Sequence, residues 1–172
     1  MMKKLLLVCA AFAMTGGFAV AQESTNRVAA ETDWSVFVDE SPKECWAVSA
    51  PKETVNTRNG QTVSVNRSEI LLFVFNRPSA GVKGQVTFTG GYPFATGRPV
   101  TLQIDSQTFN LSTKGEWAWP PNAADDAKIV AAMRRGSKAV LSAQSSRGTK
   151  TVDTFSLLGF TAASTKASQL CS

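Results

Sequence analysis

The sequence predicts a mainly β fold, a β-sandwich with one or two short helices near the C-terminus. Three observations predict it. Short runs alternate apolar and polar residues with period two, as in Trp34/Val36/Val38 and Val100/Leu102/Ile104. Turn signals, among them Asn59-Gly60, Gly90-Gly91 and Ser145-Ser146-Arg147-Gly148, separate these runs. Helical spacing is confined to the stretch beyond residue 121. About eight strands with terminal helices form a layered β domain. The 172 residues, 43% hydrophobic and 18% charged, suit one globular domain without internal repeats.

The N-terminus reads as an export signal. Lys3 and Lys4 precede an apolar run from Leu5 to Phe18, and Ala19-Val20-Ala21 supplies small residues at a cleavage site after Ala21. Residues 1–21 are therefore expected to be a signal peptide. Residues 22–32 are expected to be a flexible leader, and residues 33–172 a single domain. Export implies a periplasmic or secreted protein, not an integral membrane protein once the signal is removed. Cys9 lies inside the signal, which leaves Cys45 and Cys171 in the mature chain. In an oxidising compartment that even pair predicts a disulfide.

The strands follow in order. The alternation from Trp34 to Val38 is the first, and Cys45 to Ser49 the second, after a turn at Ser41-Pro42. Thr54–Arg58 and Gln61–Val65 flank Asn59-Gly60 as a hairpin. Ile70 to Phe75 is apolar on both sides, which suggests a central strand covered on both faces, though periodicity alone allows a buried helical turn. Val86 and Phe88 mark the next strand. Val100, Leu102 and Ile104 then turn at Asp105-Ser106-Gln107 into a partner carrying Phe109 and Leu111. Ala139–Gln144 and Thr149–Phe155 form the last hairpin.

Two helices are expected. Asn122 is an N-cap, Asp125 and Asp126 suit the first turns, and Ile129, Val130 and Met133 fall at helical spacing. Arg134 and Arg135 close the helix, with Gly136 expected in a left-handed cap. Beyond Phe155, Leu158, Ala162 and Thr165 share one helical face, and Ala163, Ala167 and Leu170 lie near it. That terminal helix would return Cys171 toward Cys45.

Composition excludes several chemistries. With no histidine, His-based triads, HExxH zinc sites and the imidazole switch are absent. No D-x-D-x-D run offers a metal loop, and no cofactor is expected. Charge is uneven. Residues 22–44 hold six acids against Arg27 and Lys43, whereas residues 128–172 hold seven bases against Asp153. In an exported protein such a basic half suits an anionic envelope surface or a glycan, not nucleic acid. Arg134, Arg135 and Lys138, with Arg147 and Lys150 of the following hairpin, form one patch if the helix end and the hairpin loop adjoin. The plainer reading is an ordinary solvated surface.

Geometry disfavours the other candidates. Ser49-Ala50-Pro51-Lys52 has Ser-x-x-Lys spacing, but that chemistry needs a helix start and Pro51 follows a strand. Asp125 and Asp126 are adjacent, so they cannot flank one bond, and Asp39 with Glu40 meets the same objection. Trp117 and Trp119, two apart in an extended segment, share a face and could stack on sugar rings or a peptide. The simpler expectation is that they cap the open end of the sandwich.

Several segments together carry a resemblance. They are Cys45-Trp46-x-x-Ser49-x-Pro51-Lys52, Gly91-Tyr92-Pro93-Phe94, Ala131-Ala132-Met133-Arg134-Arg135-Gly136, Ser145-Ser146-Arg147-Gly148-Thr149, Asp153 to Ala163 and the final Cys171. In this order they resemble the invasion associated locus B family of exported bacterial proteins, over Trp34 to Cys171. The resemblance implies an immunoglobulin-like sandwich, a periplasmic or envelope location and, in some pathogens, a link to host-cell entry. It brings no catalytic residues. The expected function is a non-enzymatic binding or structural module with an anionic surface, glycan or protein as partner. The alternatives are a small hydrolase of cell-wall or glycan material and a chaperone-like binder using an open sheet edge.

Overall fold

The computed structural model describes residues 26–172. The signal peptide, its cleavage site and the start of the leader lie outside the described residues. Twelve strands form one continuous antiparallel ladder that folds back on itself as two layers. The first layer runs β1 (Arg27–Glu31), β2 (Trp34–Glu40), β3 (Lys43–Ser49), β6 (Leu71–Arg77), β7 (Val82–Thr89) and β10 (Trp117–Trp119). The second runs β9 (Gln107–Lys114), β8 (Val100–Ile104), β11 (Lys138–Gln144), β12 (Lys150–Ser156), β4 (Glu53–Arg58) and β5 (Gln61–Thr62). Strand β9 makes the corner: Gln107–Leu111 pair with β8, while Ser112–Lys114 pair with β10.

Alternation decides what is inside. Trp34, Val36 and Val38 of β2 face Cys45 and Ala47 of β3 and Leu72 and Val74 of β6 within one core. The second layer supplies Val100, Leu102, Ile104, Leu141 and Phe155. The layers meet where the rings of Phe88 and Phe155 stand edge to face, 6.1 Å apart. Trp34 ties three elements together. Its indole N–H donates to the Ser156 carbonyl at 3.0 Å, and its ring meets Phe160 at 4.8 Å.

Both expected helices are present. Helix α1 (Ala123–Met133) is capped by Asn122, whose side chain accepts from the Asp125 N–H, and it packs on β7. Helix α2 (Phe160–Leu170) packs on β2 and β3 through Phe160, Ala163, Ser164 and Ala167. It ends at the disulfide between Cys45 and Cys171, whose Cα atoms are 5.8 Å apart.

Several expectations are corrected. Arg27–Glu31 are not part of a flexible leader but form a strand that pairs with β2. The second strand of the Asn59-Gly60 hairpin is only Gln61–Thr62. Strand β6 is central, but its outer face is only partly covered: Leu71, Phe75 and Arg77 are half-buried. Leu158 is exposed and precedes α2, so it belongs to no helical face. Gly136 is not in the left-handed region, and α1 ends at Met133. Glycine is required there for space: a Cβ would lie 2.7 Å from Ile104 Cγ2 and 3.2 Å from Leu157 Cδ1.

Candidate functional site

The two tryptophans do not cap the sandwich. Ala118 between them is buried in the core, so Trp117 and Trp119 point to the outer face of the first layer. Trp117 is 45% exposed and lies 6.1 Å from Phe73. Phe37, Trp46 and Phe75 continue this face as cross-strand neighbours, and Arg77 lies 4.2 Å over the Phe75 ring. The rings largely pack on one another.

The five basic residues do not form one patch. Arg134 and Arg135 follow α1 and adjoin α2, where the Thr161 hydroxyl donates to the Arg134 carbonyl. Lys138 begins β11, opposite Ser156. Lys150 is paired with Gln144 at the other end of β11, and Arg147 lies in the turn between them. Seven strand residues separate the two ends by about 20 Å. Asp126 is also not a surface dipole charge. It is buried and accepts the Val86 N–H at 2.8 Å. In the Ser-x-x-Lys segment both groups turn to Asp33: Ser49 Oγ donates to its carbonyl, and Lys52 pairs with its carboxylate.

A cleft of about 540 Å3 opens at one end of the sandwich, where loops from both layers converge. Three close approaches build it. Gly91 sits at φ +71, with the Ser68 backbone so near that a Cβ would lie 2.6 Å from the Ser68 oxygen. Its own carbonyl accepts the Ser68 N–H at 3.0 Å, locking loop 63–70 against loop 90–94. The Ser146 N–H donates to the Pro93 carbonyl and the Ala95 N–H to the Gln144 carbonyl, which fastens the second loop to the β11–β12 turn.

The floor is an ion pair. Asp153 alternates with Thr151 and Phe155 on the inward face of β12, so its carboxylate enters the interior. Arg67 reaches it from the crossing loop as a two-pronged pair, Nη1 to Oδ1 at 2.7 Å and Nη2 to Oδ2 at 2.6 Å. The side chains are 5% and 0% exposed. Arg67 also donates to the Gly90 carbonyl and lies 4.9 Å over the Tyr92 ring. Burial pushes the Asp153 carboxyl above its ordinary value, against the pull of Arg67. Burial likewise raises the Tyr92 phenol, which stays neutral and shares a hydrogen bond with Thr151.

The rim carries the free charge. Arg58 donates to Thr149 Oγ1 at 2.7 Å, and among the described residues no carboxylate pairs with Arg58 or Arg147. Glu116 is the acid lining the cleft. Among the described residues no group of three or more acidic or cysteine side chains could hold a metal ion. Nor is any helix there long and apolar enough to cross a membrane.

Sequence reasoning singled out Arg147 here but not Arg58, Arg67, Tyr92 or Asp153 as a constellation. One signal was available: an acid at an inward position of a strand demands a buried cation. Two of the segments that carry the family resemblance, Gly91-Tyr92-Pro93 and Ser145 to Thr149, line the cleft, and a third supplies Asp153 beneath Arg67.

No curated protein matches the chain. A solved structure, the invasion associated protein B from Bartonella henselae, shares the fold with a TM-score of 0.55 and 18% identity, over 83% of this chain and 96% of that one. Residues 34–168 match the family model described as invasion associated locus B (IalB) protein, which covers every described strand but β1, all of α1 and nearly all of α2. The chain belongs to the invasion associated locus B family.

Proposed function

We propose that this protein is an exported envelope component that binds a ligand in the end cleft and does not transform it. The carrying observation is the cleft's construction. Its floor is held by the buried Arg67–Asp153 pair, while among the described residues no carboxylate pairs with Arg58 or Arg147 on the rim. A fixed floor beneath guanidinium groups whose charge is not neutralised by a carboxylate is a preorganised binding surface. Catalysis finds less support. Glycoside hydrolysis needs two carboxyl groups flanking one bond, and Glu116 stands without a second acid on the lining. The Ser145 hydroxyl accepts the Thr149 N–H and has no base beside it.

Export is supported by the signal-like N-terminus and by the disulfide. Contact with the cell's own envelope and contact with a host surface are two settings for the same binding chemistry. The test is co-sedimentation of the mature protein with isolated envelopes. Arg58→Gln/Arg147→Gln should reduce binding severalfold, whereas reversing Arg134, Arg135 and Lys138 to Glu should leave it unchanged. Release of soluble sugar or peptide from the envelopes would instead favour the hydrolase.

A further inference from the structure

We propose that the cleft recognises an acidic saccharide: Arg58 and Arg147 engage its carboxylates, and Glu116 and Asn66 engage its hydroxyl groups. The inference rests on the reading of the cleft as a binding site and names its ligand class. A volume of about 540 Å3 lies within the range of small-ligand sites. The lining is unlike that of an apolar pocket. Asn66, Ser146, Thr149, Thr151 and Glu116 supply polar groups, and the apolar contribution is limited to Val65, Pro93 and the half-buried Tyr92 ring.

Two guanidinium groups on separate elements, one ending β4 and one in the β11–β12 turn, suit an anion with more than one charged point along its length. A simple anion would gather both around one centre and leave Glu116 repelling it. An acidic saccharide uses all three, because its hydroxyls can donate to Glu116 while its carboxylates accept from the arginines. A peptide would be read by an open strand edge, an apolar groove or an aromatic trough for proline. The cleft offers none of these at its floor, where Tyr92 and Thr151 bond each other and Arg67 is paired with Asp153. Both arginines are exposed, so the contacts are solvent-screened, and affinity should fall as salt rises.

The experiment is titration calorimetry on the disulfide-bonded mature chain. The acidic probes are trigalacturonate, sialyllactose and a heparin-derived tetrasaccharide. Maltotriose, triglutamate and inorganic phosphate are the comparisons. At least one acidic saccharide should bind about tenfold or more tightly than maltotriose. Arg58→Gln and Arg147→Gln should each weaken it about fivefold or more, with melting temperatures unchanged. The inference is overturned if no acidic saccharide binds, if maltotriose binds equally, if either arginine variant is neutral, or if triglutamate or phosphate binds as tightly. If envelope binding still requires Arg58 and Arg147 when all saccharides fail, the ligand class is wrong and the binding reading stands. If the two arginines affect neither, both fall.

Discussion

Arg67 and Asp153, 86 residues apart in sequence, close a two-pronged ion pair between the two β layers, with both side chains almost fully removed from solvent. A buried pair of this kind loses hydration on both sides, so it contributes little net stability against an apolar replacement. Its role here is positional. The same guanidinium holds the Gly90 carbonyl and lies over Tyr92, so the ion pair sets the cleft floor.

Arg67→Met should therefore destabilise the domain by about 3–5 kcal/mol, because it strands the Asp153 carboxylate in the interior. Arg67→Met/Asp153→Leu should recover most of that loss while still impairing ligand binding. Urea midpoints for the single and double variants measure this. A single variant of ordinary stability would mean that water reaches Asp153.

Gly159 and Gly136, like Gly91 in the cleft, are required for space. At Gly159, φ is +88, and a Cβ would lie 1.9 Å from the Glu31 carbonyl oxygen. Gly159→Ala must displace β1 or the start of α2 and should cost more than about 2 kcal/mol. Gly136→Ala, which presses on Ile104 at ordinary φ, should cost about 1–3 kcal/mol. Thermal melts of the two variants test both, and a neutral Gly136→Ala would refute the packing account.

The Cys45–Cys171 bridge spans 126 residues of sequence. Cys45→Ala/Cys171→Ala should lower stability by about 2–5 kcal/mol. Mass spectrometry of the unreduced mature protein should show one intramolecular disulfide and no alkylatable thiol. Fraying should begin at α2, because the bridge fastens its end to β3.

The pH response follows from Asp126. Burial raises its carboxyl above the ordinary value, the nearby Asp125 charge adds to the rise, and the Val86 N–H opposes it. The folded chain thus takes up this proton at higher pH than the unfolded chain. Its contribution is fully present below the unfolded pKa and is lost as pH rises through the folded one. Asp126→Asn keeps an acceptor for Val86 and removes the buried charge. The variant should be at least as stable as the parent near neutral pH, with its advantage shrinking on acidification toward the ordinary carboxylate pKa. Asp33 and Asp125 are shifted downward, chiefly by the hydrogen bonds from Lys52 and Lys128, and act in the opposite sense.

The strands were legible in sequence where one face is buried. Trp34/Val36/Val38 and Val100/Leu102/Ile104 announce themselves because the period of the pleat sorts their side chains. Strand β1 was not legible: its five residues are half-buried to exposed, so no alternation marks them. A helix-ending glycine usually signals backbone conformation, whereas at Gly136 the constraint comes from Ile104 and Leu157 across the core, which no local pattern shows. The cleft was illegible for a similar reason. Arg58, Tyr92 and Arg147 are brought to one cleft by the pairing of β4 with β12 and by contacts between segments far apart in sequence. Lys138 and Lys150 lie close in sequence, but a seven-residue strand carries them to opposite ends of the sheet.

The most direct test of the account is an amide chemical-shift map of the labelled mature chain titrated with the tightest-binding acidic saccharide. The account predicts shifts at Arg58, Asn66, Gly91-Tyr92, Glu116 and Ser145 to Thr149, with little change elsewhere. Shifts centred on Trp46, Trp117 and Trp119, or on Arg134, Arg135 and Lys138, would contradict it and move the binding surface to the outer face or to the opposite end of the sandwich.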